Sequence, residues 1–245
     1  MMYEHDLNKC KRKSMGIVLK RRDNAPIVKD IYGGIVDILM NNKDIESASI
    51  FLKKCLDEMA NGTVPIGKLI ITKSLRSGYA NPDQIAHKVL ADRIGSRDPG
   101  NKPGVGDRVA FVYISKKTST TLQGERIETP EFIYENKLTI DYTHYITNQI
   151  MKPVIQIFSL VLEKLPGFLD RKSNMDKWHK EMADLRYKLK MDGLDASQMS
   201  KKIESYRDKE VKILLFDECL KKIHDKINIK TGKASITHFF HKKSA

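Results

Sequence analysis

The chain has 245 residues and a formal charge of +13, with 40% hydrophobic residues; that length fits one large domain or two small ones with a core, and the charge favours a polyanionic partner, nucleic acid first and an acidic membrane surface second. No run of apolar residues is long enough to span a bilayer, and Met1-Met-Tyr-Glu-His-Asp6 lacks the apolar centre of a signal peptide. Cys10, Cys55 and Cys219 are far apart, with no CxxC pair, which argues against a disulfide scaffold or a zinc knuckle and fits a reducing compartment.

Residues 1–24 read as a basic lead-in, with seven Lys or Arg and no acid between Lys9 and Arg22. The island Lys20-Arg21-Arg22-Asp23 follows the apolar run Ile17, Val18, Leu19. Such an island suits a backbone anchored in a core that holds guanidinium groups toward an anion, with Asp23 to orient them. A plain helix start fits as well, with Asp23 or Asn24 as N-cap and Pro26 in the first turn. The spacing of Ile27, Ile31, Ile35, Ile38 and Leu39 predicts a helix over about 26–40. A second helix is predicted from Asp44 to about Ala60, closed by Asn61-Gly62.

Lys68 to Leu75 reads as a buried strand, Gly78 to Pro82 as a turn, and Pro82 to Ile94 as a third helix. Asp98 to Gly106 is a Pro- and Gly-rich loop, and Asp107 to Ile114 alternates like a strand. Ile140 to Glu163 reads as one long helix, kinked by Pro153. Beyond Pro166-Gly167 the character changes: residues 171–245 carry 19 Lys or Arg and 11 Asp or Glu. Ser197 to Asn228 reads as a single charged helix, and residues 230–245 as a disordered tail. The fold class is mostly α with a small β component (α+β).

Catalytic patterns are missing. There is no nucleophile elbow, P-loop, dinucleotide-binding glycine set or HExxH, and no Asp-x-Asp-type pair for two-metal phosphoryl transfer. His87, on the apolar helix after Pro82, reads as a hydrogen-bonded structural residue rather than a metal ligand or a base. The residues describe a polyanion-gripping part without its own reaction centre.

The order of segments carries more. Gly16-Ile-Val-Leu-Lys-Arg-Arg-Asp23 is followed by Leu69-Ile-Ile-Thr-Lys-Ser-Leu75, Tyr79-Ala-Asn-Pro82, His87-Lys-Val-Leu-Ala-Asp-Arg93, Gly106-Asp-Arg-Val109 and Tyr145-Ile-Thr-Asn-Gln149. Over about residues 8–165 this resembles the C-terminal part of family B DNA polymerases, of the delta-like kind carried by large DNA viruses. The resemblance implies the end of the palm at 1–24 and the thumb, helical with short strands, at 25–166. A charged helical extension at 167–229 and the tail would follow.

It further implies that the metal-binding aspartates, the fingers helix and the proofreading exonuclease lie upstream of Met1. This chain would then hold no cofactor, Mg2+ belonging to the missing palm, and would be inactive alone: one piece of a split nucleotidyltransferase, or a gene fragment. Its partners would be primer–template DNA, the palm, fingers and exonuclease portion, and a sliding clamp, with no membrane. Its place would be intracellular, in a host nucleus or a cytoplasmic viral replication site.

On this reading Lys20, Arg21 and Arg22 grip the primer backbone, Asp23 fixes an Arg fork, and Lys73 meets a phosphate. Asn81, His87 and Arg93 line the duplex face, with packing or ion-pair roles equally open for His87 and Arg93. Arg108, beside Asp107, is either a strand clamp or a DNA contact, and Tyr145 reads as thumb core. Only Cys219 lies beyond residue 165, so the two four-cysteine modules of cellular delta-type enzymes have no counterpart. Instead Lys233, Ile236, Phe239 and Phe240 resemble a clamp-interacting peptide with Lys in place of its Gln; a helical turn would put Ile236, Phe239 and Phe240 on one side as an apolar plug. The alternative function is a stand-alone, sequence-independent DNA-binding or sliding-clamp accessory protein.

Overall fold

The computed structural model describes residues 2–6, 9–13, 18–115 and 122–230. The basic lead-in forms β1 (Met2–Asp6) and β2 (Lys9–Lys13), an antiparallel pair with Met2 opposite Lys13. After a 3-10 turn at Val18–Lys20, α1 (Pro26–Asp37) opens on the proline, which lacks the N–H that a first turn leaves unused. α1 loosens into a π-helical turn at Ile38–Asn42 and stops at Lys43, in the left-handed region. Asp44 caps α2 (Ile45–Asn61) by accepting the Ser47 N–H, and Gly62, at φ 72°, ends it.

Next come β3 (Ile71–Ser74), a 3-10 turn at Pro82–Gln84, α3 (Ala86–Arg97), β4 (Arg108–Tyr113), β5 (Ile127–Glu128) and α4 (Pro130–Glu135). The strands form one antiparallel sheet of order β3-β4-β5, with Lys73 opposite Val109 and Ser74 opposite Arg108. The predicted strand at 68–75 is thus shorter, because Ile66–Lys68 winds as a 3-10 turn.

The long helix expected at 140–163 is broken into four pieces. α5 (Tyr142–Tyr145) passes into a π-helical stretch at Ile146–Ile150, α6 (Met151–Phe158) follows, and Ser159–Lys164 tightens to 3-10 around a non-helical Val161. Pro153 has no N–H for the Gln149 carbonyl, so the disturbance lies in the turn before it rather than as a simple kink. α7 (Phe168–Lys172) and α8 (Met175–Met191) follow, the latter capped by Asn174. The single helix expected at 197–228 is two, α9 (Ala196–Leu215) and α10 (Asp217–Lys230), separated at the buried Phe216. Asp217 and Glu218 start α10, where a helix dipole favours carboxylates.

The chain divides into two compact units, Met1–Gly33 with Val64–Ile150 and Gly34–Thr63 with Met151–Ala245. Leu69, Ile71, Leu90, Phe111, Ile127 and Tyr145 are buried in the first. Leu52, Leu56, Phe158, Phe168, Trp178 and Phe216 are buried in the second. The fold is mostly helical with a small antiparallel sheet, and among the described residues no helix is long and apolar enough to cross a membrane.

Candidate nucleic-acid interface

Two open grooves of the first unit share Asp23 and Lys73 as lining residues. The first, about 470 Å³, is lined by Arg22, Lys73, Arg76, Tyr79, His87 and Arg108 among others. The second, about 570 Å³, is lined on its polar side by Arg21, Arg126, His144, Asn148 and Gln149.

The basic turn before α1 is held at three points. Arg21 forks onto Asp23, Nε to Oδ1 at 3.1 Å and Nη2 to Oδ2 at 2.8 Å. The Asn24 amide donates to the Val18 carbonyl at 3.3 Å, and the buried Ala25 N–H donates to Gln149 Oε1 at 3.1 Å. The Arg21 hydrogen bonds hold the Asp23 carboxyl below its usual range, against the opposing effect of partial burial. Arg21 is therefore partly neutralised, whereas Arg22, next to it and exposed, makes no ion pair among the described residues.

The sheet fixes the other cations. Lys73 projects from β3 and is exposed. Arg108 lies on β4 opposite Ser74: Nη2 donates to the Thr72 carbonyl at 2.7 Å and to Thr72 Oγ1 at 2.8 Å, and Nη1 to Ser74 Oγ at 3.1 Å. Every one of these acceptors is neutral, so the guanidinium keeps its full charge. Asp107 does not pair with Arg108; its carboxylate accepts the Gly104 N–H at 2.8 Å. Tyr79 closes the groove's far side, its hydroxyl accepting the Arg76 N–H at 2.9 Å and lying 3.1 Å from His87 Nε2. Burial first, and the nearby charge of Lys73 second, push the His87 pKa down, which favours the neutral imidazole.

The second groove rests on a buried aromatic frame. The Tyr145 hydroxyl donates to the Leu69 carbonyl at 2.8 Å and accepts the Tyr113 N–H at 3.0 Å, joining the helical stretch to the end of the 3-10 turn before β3 and to β4. The Tyr113 ring stacks on His144 at 3.4 Å. Burial drives the His144 pKa down to about 4, against the attraction of Asp141, which Arg126 holds at 2.7 Å.

Of the residues singled out in the sequence, the structure brings Arg22, Asp23, Lys73, His87 and Arg108 to the first groove and Arg21 to the second. Lys20 ends the 3-10 turn, exposed but outside both linings. Asn81 is exposed ahead of the turn at Pro82–Gln84, its carbonyl accepting the Gln84 N–H. Arg93 faces inward: it donates to the Gly124 and Ile127 carbonyls, and its Nε lies 2.9 Å from buried Glu128 without the angle of a hydrogen bond. Arg97 forks onto the same carboxylate. Lys233, Ile236, Phe239 and Phe240 lie outside the described residues. Sequence reasoning missed Arg76 and Arg126 in the linings; Arg76 directly follows the Leu69–Leu75 motif, which was the available signal.

A family model for DNA polymerase family B matches residues 1–161. The DNA polymerase of Pyramimonas orientalis virus is 45% identical over 241 residues, covering 98% of this chain and 19% of that protein. The DNA polymerase of Acanthamoeba polyphaga mimivirus is 50% identical over 168 residues, covering 66% of this chain and 10% of that protein. The DNA polymerase delta catalytic subunit of Caenorhabditis elegans is 36% identical over 159 residues, covering 64% of this chain and 14% of that protein. The chain thus spans less than a fifth of the length of each of these relatives. The ordered motifs, the basic grooves built from them and the match over two thirds of the sequence agree: the chain belongs to DNA polymerase family B and is of the viral type.

Proposed function

We propose that this chain is the thumb portion of a DNA-directed DNA polymerase and holds the primer–template duplex by its sugar–phosphate backbone during replication. One observation carries the reading: Arg22, Lys73, Arg76 and Arg108 line a single groove, and none makes an ion pair with a carboxylate among the described residues. Four cations against one carboxylate in the lining, Asp23, which is itself forked onto Arg21, are costly in self-repulsion unless an anion shares them. Phosphates suit the role of a duplex holder, because phosphate contacts position a duplex without reading its sequence and so tolerate its advance by one base pair.

Among the described residues no three His, Cys, Asp or Glu side chains gather to hold a metal ion. We assign the Mg2+ expected of the family, and with it the chemical step, to the palm portion of the polymerase, which this piece would complete. The same reading gives the segment from Lys233 to Phe240 to a sliding clamp.

Duplex binding measured against salt tests the proposal. The wild-type chain is expected to bind duplexes of unrelated sequence equally, with affinity falling steeply as salt rises. Lys73→Ala and Arg76→Ala are each expected to lower the slope of log affinity on log salt by about one. Slopes unchanged in both variants would remove the groove from the DNA path. Synthesis restored on mixing with a palm-containing piece would extend the result to the enzyme; no synthesis from two folded pieces would defeat it.

A further inference from the structure

Residues 175–215 lie beyond the stretch matched to the family model, and their charges sort by side. The segment has ten Lys and Arg and eight Asp and Glu, which is near balance as a sequence. Three of the acids are engaged within the helices and turns around them. Glu181 accepts from Lys172 and from the Tyr206 hydroxyl. Glu210, almost fully buried, pairs with Arg171 at 2.7 Å and with Lys172 at 3.1 Å. Asp208 accepts the Ser159 hydroxyl. A fourth, Asp195, is spent on capping α9, where it accepts the Gln198 N–H at 2.8 Å. Arg207 is the cation that turns inward, forked onto Glu163. Glu181 and Glu210 are neutralised by Arg171 and Lys172 of α7, which leaves nine Lys and Arg of the segment against the exposed Asp176, Asp184, Asp192 and Glu204, an excess of cations over counter-charges.

Those cations gather where the hairpin turns at Gly193, φ 74°. Arg186, Lys188 and Lys190 end α8, and Lys201 and Lys202 lie in the first turns of α9; all five are exposed and make no ion pair among the described residues. Among them Tyr187 is 68% exposed and Met191, one turn further on, 70% exposed. A bare aromatic ring interleaved with cations is a poor solvent surface and a good base-stacking platform, since every base offers a π-face and every linkage a phosphate.

We propose that the α8–α9 hairpin is a second nucleic-acid site, for single strands: Arg186, Lys188, Lys190, Lys201 and Lys202 meet phosphates, and Tyr187 stacks on a base. This rests on the hairpin alone and stands or falls separately from the groove around Lys73. The test is binding of labelled oligo-dT and of a duplex by the full chain. Tyr187→Ala is expected to weaken oligo-dT binding about tenfold while Tyr187→Phe retains it. Lys188→Ala with Lys190→Ala is expected to lower the oligo-dT salt slope by about 0.7 for each lysine. Duplex binding should be unchanged in all three, and these exposed positions should leave the thermal midpoint in place. Oligo-dT binding untouched by both sets of changes would overturn the proposal. So would equal losses for oligo-dT and duplex, which would make the hairpin a general polyanion surface.

Discussion

The Gln149 side chain accepts the Ala25 N–H at 3.1 Å, a bond between residues 124 positions apart. It pins the end of the basic turn to the π-helical stretch of the first unit, at a residue with no solvent exposure. Gln149→Leu keeps the bulk and leaves a buried N–H without a partner, at a cost of about 1–3 kcal/mol. Chemical denaturation should show that loss, and duplex affinity should fall because Arg21 and Arg22 lose their footing. Stability equal to wild type would mean that the turn is held elsewhere.

Tyr145→Phe strips one oxygen from the core and leaves two backbone groups, the Leu69 carbonyl and the Tyr113 N–H, unsatisfied. A destabilisation of about 1–3 kcal/mol is expected in urea unfolding, with little change in packing volume. A neutral outcome would show that water replaces the hydroxyl.

Arg93 and Arg108 should separate cleanly. Arg93→Met removes the donor to the Gly124 and Ile127 carbonyls and one cation from buried Glu128, so stability should drop by about 1–3 kcal/mol while the salt slope of DNA binding stays the same. Arg108→Ala, at an exposed site, should do the reverse and lower the slope by about one. A slope change in the Arg93 variant would put that residue on the DNA after all.

His144 gives stability a pH dependence whose sign is fixed by its burial. Its pKa is about 4 in the folded chain, below the ordinary value of 6.5, so the unfolded chain binds the extra proton. The stabilising effect is complete above about 6.5 and is lost as pH falls toward 4, at no more than about 1.4 kcal/mol per pH unit. Thermal midpoints of wild type and His144→Asn across that window should converge as pH falls. Parallel curves would show that other groups set the acid limb.

Much of this was legible in the sequence, for physical reasons. The helices at 26–37 and 45–61 announced themselves by apolar spacing and by Pro26, Asp44 and Gly62, which act locally. Arg21, Arg22, Asp23, Lys73 and Arg108 lie at the two grooves, and it was the order of motifs that singled them out where single residues carry little signal. The side to which Arg93 turns was not legible, since an arginine beside an apolar helix stripe reads the same whether it meets Glu128 or a phosphate. The break at Phe216 escaped because no Gly or Pro marks it; Asp217 and Glu218 were the clue, but they look like ordinary surface charge. The π-helical stretch at Ile146–Ile150 is set by a missing N–H further along, at Pro153.

Arg108 has most of its donors committed to Thr72 and Ser74, so it offers an anion attraction with little left for directed bonding. Attraction of that kind has no preferred register. On the proposed reading, a phosphate displaced by one nucleotide would be replaced by its neighbour at nearly the same energy, and the strand would meet a level path where fully directed hydrogen bonds would make a ratchet.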